Sequence, residues 1–328
     1  MTNPKTAFLF PGQGSQTPGM GHDLAHHSPA AKAVLAAVDT ALGDTPPLSH
    51  HMAEGPAATL TLTTNAQPAL MATSLAAVRA LEHATQKPLA SLGDYVAGHS
   101  LGEYSALTAA GVFDVATAAR LLRTRGDAMQ NAVPTGQGAM AVLLGAEIDA
   151  IESFIANLPQ DKANPKTDTI EIANDTSPGQ IVISGEATAI QTAIDLASKT
   201  PDLGVKRAML LPVSAPFHCR HMAPAADVMA EALAATTLNI PSMPIFTNVS
   251  AAPQTDPAVI RRQLVDQVVS RVRWRETLLA LAEAGTRRFI ELGTGKVLSG
   301  LVKRTLPDAE IYNIDKGEDV AAVTKLLA

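Results

Sequence analysis

Gly98-His99-Ser100-Leu101-Gly102 sets a serine between two glycines, and its flanks are those of a strand-to-helix turn. Upstream, Asp94-Tyr95-Val96-Ala97 reads as a short strand; downstream, Glu103 to Ala110 reads as the start of a helix. A serine on such a turn is held out of the sheet with its hydroxyl exposed. The glycines are needed because a Cβ there would collide with the neighbouring strand and helix. The chemistry this allows is nucleophilic attack on an acyl carbon. The N–H of Leu101 falls at a helix N-terminus, where the dipole favours a developing oxyanion.

A serine hydroxyl is barely ionised at neutral pH and needs a base. The sequence offers nine histidines. His99 adjoins the serine, but adjacent residues point in different directions. His22, His26, His27, His50, His51 and His83 lie in polar or helical surroundings and read as surface residues. His218 differs: in Pro212-Val213-Ser214-Ala215-Pro216-Phe217-His218-Cys219 it follows a predicted strand end, and two prolines stiffen its loop. It is the candidate base. Glu103 is a tempting acid, but in the first turn of a helix a negative charge is already favoured by the dipole. Arg125, in Arg120-Leu121-Leu122-Arg123-Thr124-Arg125, reads on its own as a solvated helix charge.

Several sharper-looking motifs fail. Gly12-Gln13-Gly14-Ser15-Gln16-Thr17 lacks the third glycine of a dinucleotide fingerprint. Gly293-Thr294-Gly295-Lys296-Val297 lacks the spacing and the Ser/Thr of a P-loop. His218 and His221 flank Cys219 without zinc-finger or metalloprotease spacing, so no metal site is expected. Cys219 reads as structural.

The elements that must position these residues follow from periodicity and breakers. Thr6 to Phe10 reads as a buried strand entering the loop Pro11-Gly12-Gln13-Gly14-Ser15-Gln16. Helices are predicted over Pro29–Leu42, Gln67–Leu81 and Val115–Met129. From about Pro134 to Leu211 the character changes. Strands at 139–144, 170–173, 180–184 and 205–211 and helices at 148–158 and 187–198 give the order β-α-β-β-α-β around a turn at Asn174–Gly179, a split unit of about 70 residues. Strands at 245–249 and 288–292, with a helix over Pro257–Val269, resume the first pattern.

Taken together, Pro11-Gly12-Gln13-Gly14-Ser15-Gln16, Gly98-His99-Ser100-Leu101-Gly102-Glu103, Arg125, Ile172-Ala173-Asn174, Phe217-His218 and Gly293-Thr294-Gly295-Lys296-Val297-Leu298 resemble, in order and spacing, the malonyl-CoA:acyl carrier protein transacylase family. Each motif is weak alone; six in register are specific. The resemblance implies an α/β fold: an α/β-hydrolase-like large domain with a parallel sheet (1–133 and 212–328) and an inserted ferredoxin-like small domain (134–211). It implies Ser100 as nucleophile, His218 as general base and then acid, and the N–H groups of Gln13 and Leu101 as the oxyanion hole. The carbonyl of Gln267 would orient the histidine, keeping Nε2 toward the serine without an acidic third member. Arg125 would grip the malonyl carboxylate, which a guanidinium fork matches better than an ammonium. Met129, Phe217 and Gln67 would shape the acyl pocket, and Asn174 and Asn248 would tie turns near it. Malonyl-CoA and an acyl carrier protein are the implied partners, with no cofactor. Carrier proteins of this kind are acidic, which makes Arg271, Arg273, Arg275, Arg287 and Arg288 candidate docking charges.

Composition agrees. Hydrophobic residues at 46% and charged residues at 17% of 328 fit a compact enzyme with a sizeable core. A net charge of -6 and 3% aromatics argue against nucleic acid as a partner. The single cysteine excludes an internal disulfide and suits a reducing compartment. No signal peptide or membrane-length apolar run is seen, so a cytoplasmic protein, monomeric by default, is expected. The rival functions are a serine hydrolase, disfavoured by the missing Ser…Asp…His order, and a non-catalytic acyl-binding subunit.

Overall fold

The computed structural model describes residues 4–158 and 170–328. The expected small unit therefore includes a stretch, 159–169, that lies outside the described residues. The strands are β1 (Lys5–Phe10), β2 (Tyr95–Gly98), β3 (Gly138–Leu144), β4 (Ile170–Ser177), β5 (Gln180–Glu186), β6 (Arg207–Leu210), β7 (Ile245–Phe246), β8 (Pro253–Gln254), β9 (Thr286–Leu292) and β10 (Glu310–Ile314). They form a six-stranded sheet in the order β10-β9-β1-β2-β7-β8 and a four-stranded sheet in the order β4-β5-β3-β6.

β1 is buried from its second residue onward because both its faces are covered. Phe8 and Phe10 enter one apolar cluster, while Ala7 and Leu9 enter a second with Phe246, Trp274 and Phe289. That is the alternation of a strand between two helical layers, and a continuous apolar run is its signature. Its neighbours β2 and β9 both run parallel to it, and of the six strands only β8 is antiparallel to its neighbour.

All neighbours in the four-stranded sheet are antiparallel. One face packs Leu143, Ile181 and Ile183 against Ile151 and Ile190 from its own two helices. The other face sends Met140, Val142 and Val182 into the main core. The four-stranded sheet is thus joined to the main core by a shared apolar layer. Its β4 edge is also tied by backbone bonds from Val272 N to the Ala173 carbonyl (2.8 Å) and from Asp175 N to the Val272 carbonyl (3.1 Å).

Most of the basic residues expected to dock a carrier protein prove to be engaged inside the chain. Arg275 pairs with Asp175, which is buried in β4, and Arg271 pairs with Glu152 at 2.9 Å. Arg273 grips Glu276 and Arg288 pairs with Glu310. Arg287 is exposed and donates to the carbonyls of Ala282 and Thr286. Arg275 therefore ties the helix Trp274–Glu283 to β4, and Arg271 is engaged by the helix Ile148–Ala156.

Two local expectations change. Asn174 to Ser177 belong to β4, so the hairpin turn contracts to Pro178-Gly179. The strand expected over 245–249 ends at Phe246, because the backbone leaves the sheet at Thr247 to enter a turn closed by Ala251 N donating to the Thr247 carbonyl (2.9 Å).

The helices Thr63–Thr85 and Val115–Asn131 lie side by side and carry much of the site. The first is longer at both ends than predicted and contains Pro68 in its second turn. The two can approach because Gly126 has no side chain: a Cβ there would sit 2.7 Å from the Thr63 carbonyl oxygen. This close approach brings Arg125 beside Gln67.

Candidate active site

Ser100 is the N-cap of the helix Leu101–Ala109 and has φ 53° and ψ -112°, a conformation L-residues rarely adopt. The turn is held from two sides. Asn248 Oδ1 accepts from the Ser100 N–H at 2.7 Å, and Asn248 Nδ2 donates to the Gly98 carbonyl at 2.7 Å. Asn248 does tie a turn, as expected, and the turn is the one that carries the serine. A Cβ on Gly98 would fall 1.9 Å from the Gly102 carbonyl oxygen, so the strand and the helix can meet only at glycine. Gly98→Ala is expected to destabilise the protein by about 3 kcal/mol or more, the upper range for forced overpacking. Urea unfolding checks this; a loss under about 1 kcal/mol would show that the turn gives way easily.

His218 reaches the serine from a distant loop. Its Nε2 lies 2.8 Å from Ser100 Oγ, and its Nδ1 lies 2.9 Å from the Gln267 carbonyl oxygen. A carbonyl only accepts, so Nδ1 carries the proton and Nε2 is left as the acceptor facing the hydroxyl. Burial, and then the nearby Arg125 charge, lower the His218 pKa to about 3. The imidazole is therefore neutral at neutral pH, the form a base requires. Like Ser100, it has a positive φ, 58°. Cys219 beside it is buried and its Sγ donates to the Pro216 carbonyl at 3.1 Å, the structural part expected of it.

Arg125 is only 1% exposed, which overturns its local reading as a solvated helix charge. Nη1 donates to Gln67 Oε1 at 2.7 Å; Nη2 donates to Gln267 Oε1 at 2.9 Å and to Ser100 Oγ at 3.2 Å. All three acceptors are neutral, and Nε has no partner among the described residues. A buried cation whose hydrogen-bond acceptors are all neutral, with a donor unused, is poised for an anion. The Tyr104 ring lies 5.7 Å from the guanidinium and adds a weaker attraction.

Of the nine site residues predicted, all but Gln267 line one cavity of about 430 Å³. Met129 and Phe217 supply apolar wall, and Gln67 Nε2 contacts Met129 Sδ at 3.7 Å. Gln13 sits in the loop after β1 with its side chain donating to Thr63 Oγ1 at 3.2 Å. Leu101 is the first residue of its helix, before the intrahelical bonds begin. Asn174, in β4, does not tie a turn; it faces the cavity and its Oδ1 has no partner among the described residues. His99 packs edge-on against Trp274, with ring centres 5.5 Å apart, and burial lowers its pKa to about 4.

Gln267 lies behind the cavity, and it does more than the carbonyl role predicted for it. Its side chain accepts from Arg125 and donates to the Ser100 carbonyl at 3.0 Å. The rejected P-loop motif is also explained: the Glu291 carboxylate occupies the helix N-terminus after it, accepting from Leu298 N and Ser299 N.

The acyl transferase domain model matches residues 7–325. A malonyl CoA-acyl carrier protein transacylase of Bacillus subtilis is 44% identical over 300 residues, covering 92% of this chain and 90% of the relative. One of Escherichia coli is 40% identical over 321 residues, covering 98% and 99%. The crystal structure of an acyl-carrier-protein-S-malonyltransferase from Bartonella henselae superposes with a TM-score of 0.90 at 46% identity, covering 98% and 99%. A malonyl-transacylase in complex with its type II PKS acyl-carrier protein gives 0.90 at 37%, with the same coverage. By a family match over nearly its whole length and relatives this similar, the chain belongs to the acyl transferase family, together with the malonyl CoA-acyl carrier protein transacylases.

Proposed function

We propose that this enzyme moves a malonyl group from malonyl-CoA to the phosphopantetheine thiol of an acyl carrier protein, through an ester on Ser100. The observation that carries the reading is the buried Arg125 guanidinium, held by neutral acceptors 3.2 Å from Ser100 Oγ. The site then favours an acyl group that bears its own negative charge within a few bonds of the reacting carbonyl, and malonyl does.

In the first half-reaction the malonyl carboxylate docks on Arg125. Ser100 Oγ attacks the thioester carbonyl as His218 Nε2 takes the hydroxyl proton. The oxyanion is received by the N–H groups of Gln13 and Leu101. As the tetrahedral intermediate collapses, the C–S bond breaks and His218 returns the proton to the departing thiol of coenzyme A. In the second half-reaction the carrier thiol gives its proton to His218 and attacks the ester. The C–O bond then breaks, and Ser100 recovers the proton. The two thiols and the protein's own groups suffice, with no cofactor. The apolar wall from Met129 and Phe217 would limit ordered water near the ester, so transfer outruns hydrolysis.

We also read residues 1–133 and 212–328 as a hydrolase-like unit and 134–211 as a ferredoxin-like insertion. The parallel run from β10 to β7 supports the first, and the antiparallel order β4-β5-β3-β6 supports the second. No described helix is long and apolar enough to cross a membrane. We take a cytoplasmic monomer as the working form.

The test is to weigh the intact protein after exposure to malonyl-CoA, acetyl-CoA or methylmalonyl-CoA, then to add the phosphopantetheinylated carrier. A malonyl adduct on Ser100 that passes to the carrier is expected. No adduct, or free malonate forming faster than malonyl-carrier, would return the chain to the acyl-binding or hydrolase alternatives.

A further inference from the structure

Glu103 has no step in that cycle, yet its carboxylate is wholly buried beneath the Ser100 turn. Its Oε2 accepts from the Asn248 N–H at 3.0 Å and from Gln267 Nε2 at 2.8 Å, while Oε1 has no partner among the described residues. The reading of this residue as a charge satisfied by its helix dipole is therefore incomplete. Burial pushes its pKa up to about 7, against the pull of those two bonds and of the Arg125 charge. Near neutrality its charge comes and goes. An acceptor oxygen is present in either form.

That oxygen matters because the Gln267 amide has two unlike ends. Arg125 can only donate, and Glu103 Oε2 serves here as an acceptor. The observed orientation satisfies both, with Nε2 toward Glu103 and Oε1 toward Arg125 Nη2 at 2.9 Å. Reversing the amide would set NH₂ against the guanidinium and oxygen against oxygen, in a buried place where each mismatch is expensive.

We propose that Glu103 is a positioning residue for acyl selectivity: its Oε2, together with the Ser100 carbonyl, fixes the Gln267 amide, and through it holds the Arg125 guanidinium where a substrate carboxylate must sit. This rests on the malonyl reading of the site.

Two conservative variants separate reach from charge. Glu103→Asp keeps the charge but withdraws the oxygen by one methylene; Glu103→Gln keeps the oxygen and removes the charge. Rates of malonyl and acetyl adduct formation on Ser100 are compared by intact mass. In Glu103→Asp the malonyl-over-acetyl ratio is expected to fall about fivefold or more, the scale of one net hydrogen bond, entirely through the malonyl rate. In Glu103→Gln it is expected to stay within about twofold of the parent. The opposite ranking, an unchanged ratio in both variants, or equal loss of both acyl groups overturns the proposal. Titration calorimetry with malonate reads the Arg125 position without any transfer. There only Glu103→Asp should bind more weakly, by about fivefold, and equal affinity in all three proteins also overturns it. A parent protein that binds malonate but transfers no malonyl counts against the proposed function and leaves Glu103 to be judged on the affinities.

Discussion

Ser100→Ala is expected to remove malonyl transfer almost completely, by about 10⁴- to 10⁶-fold, the loss seen when the nucleophile of a serine–histidine pair is deleted. The oxygen that disappears is the one held between His218 Nε2 and Arg125 Nη2. The backbone clamp by Asn248 does not involve that oxygen, so the turn should persist and the melting temperature should change little. No acyl adduct should form with any thioester. Because nucleophile and base act as one unit, adding His218→Ala should cause little further loss. Steady-state transfer with pure protein, alongside a melting curve, measures this. Activity above about 1% of the parent would show that another group can carry the acyl chain, and the mechanism built on Ser100 would fall.

The second large effect is expected at Arg125. Arg125→Ala should weaken malonyl transfer by about 3–5 kcal/mol, the range found when one partner of a buried ion pair is deleted, or about two to nearly four decades in rate. Acetyl transfer should survive or rise. Acetyl carries no carboxylate to be stranded, and removing the guanidinium also removes a charge that makes His218 harder to protonate. Truncation leaves Gln67 Oε1 and Gln267 Oε1 without their donor and opens space, so Arg125→Met, which refills the volume, is the better-controlled companion. The measurement is kcat/KM for malonyl-CoA and acetyl-CoA in each protein. Equal loss with both would mean that Arg125 supports the fold and selects nothing.

Local signals were enough wherever the deciding residues are neighbours in the chain. The helices Pro29–Leu42 and Pro257–Val269 begin and end where predicted. Ser28 accepts from Ala31 N and Asp256 from Ala258 N at their starts, and Gly43 closes the first in a left-handed conformation. The serine turn was legible for the same reason. The misses are contacts made across the fold. Asn174 and Asp175 favour turns by type, but pairing with Val182 and Ile181 and the bridge to Val272 draw them into β4. Arg125 looks solvated on its own helix; it is buried because Gln67 and Gln267, from two other helices, close over it. The family resemblance supplied what periodicity could not there. The Gln267 side chain and the Glu103 anchor lay beyond both, since neither spacing nor motif shows which end of an amide faces which neighbour.

The place of β1 at the centre of the large sheet has a consequence for synthesis. One of its neighbours, β2, follows within the first third of the chain; the other, β9, comes almost at the end. On the ribosome, at about 5–20 residues per second, β1 and β2 are both out early. The nascent chain then waits many seconds with an open, apolar strand edge, the kind of surface that recruits stray partners. Asn248, His218 and Gln267 also emerge late, so the Ser100 turn lacks its clamp and its histidine contact until the sheet is nearly closed. The late partner strand thus leaves an extended period in which a holding chaperone has something to cover.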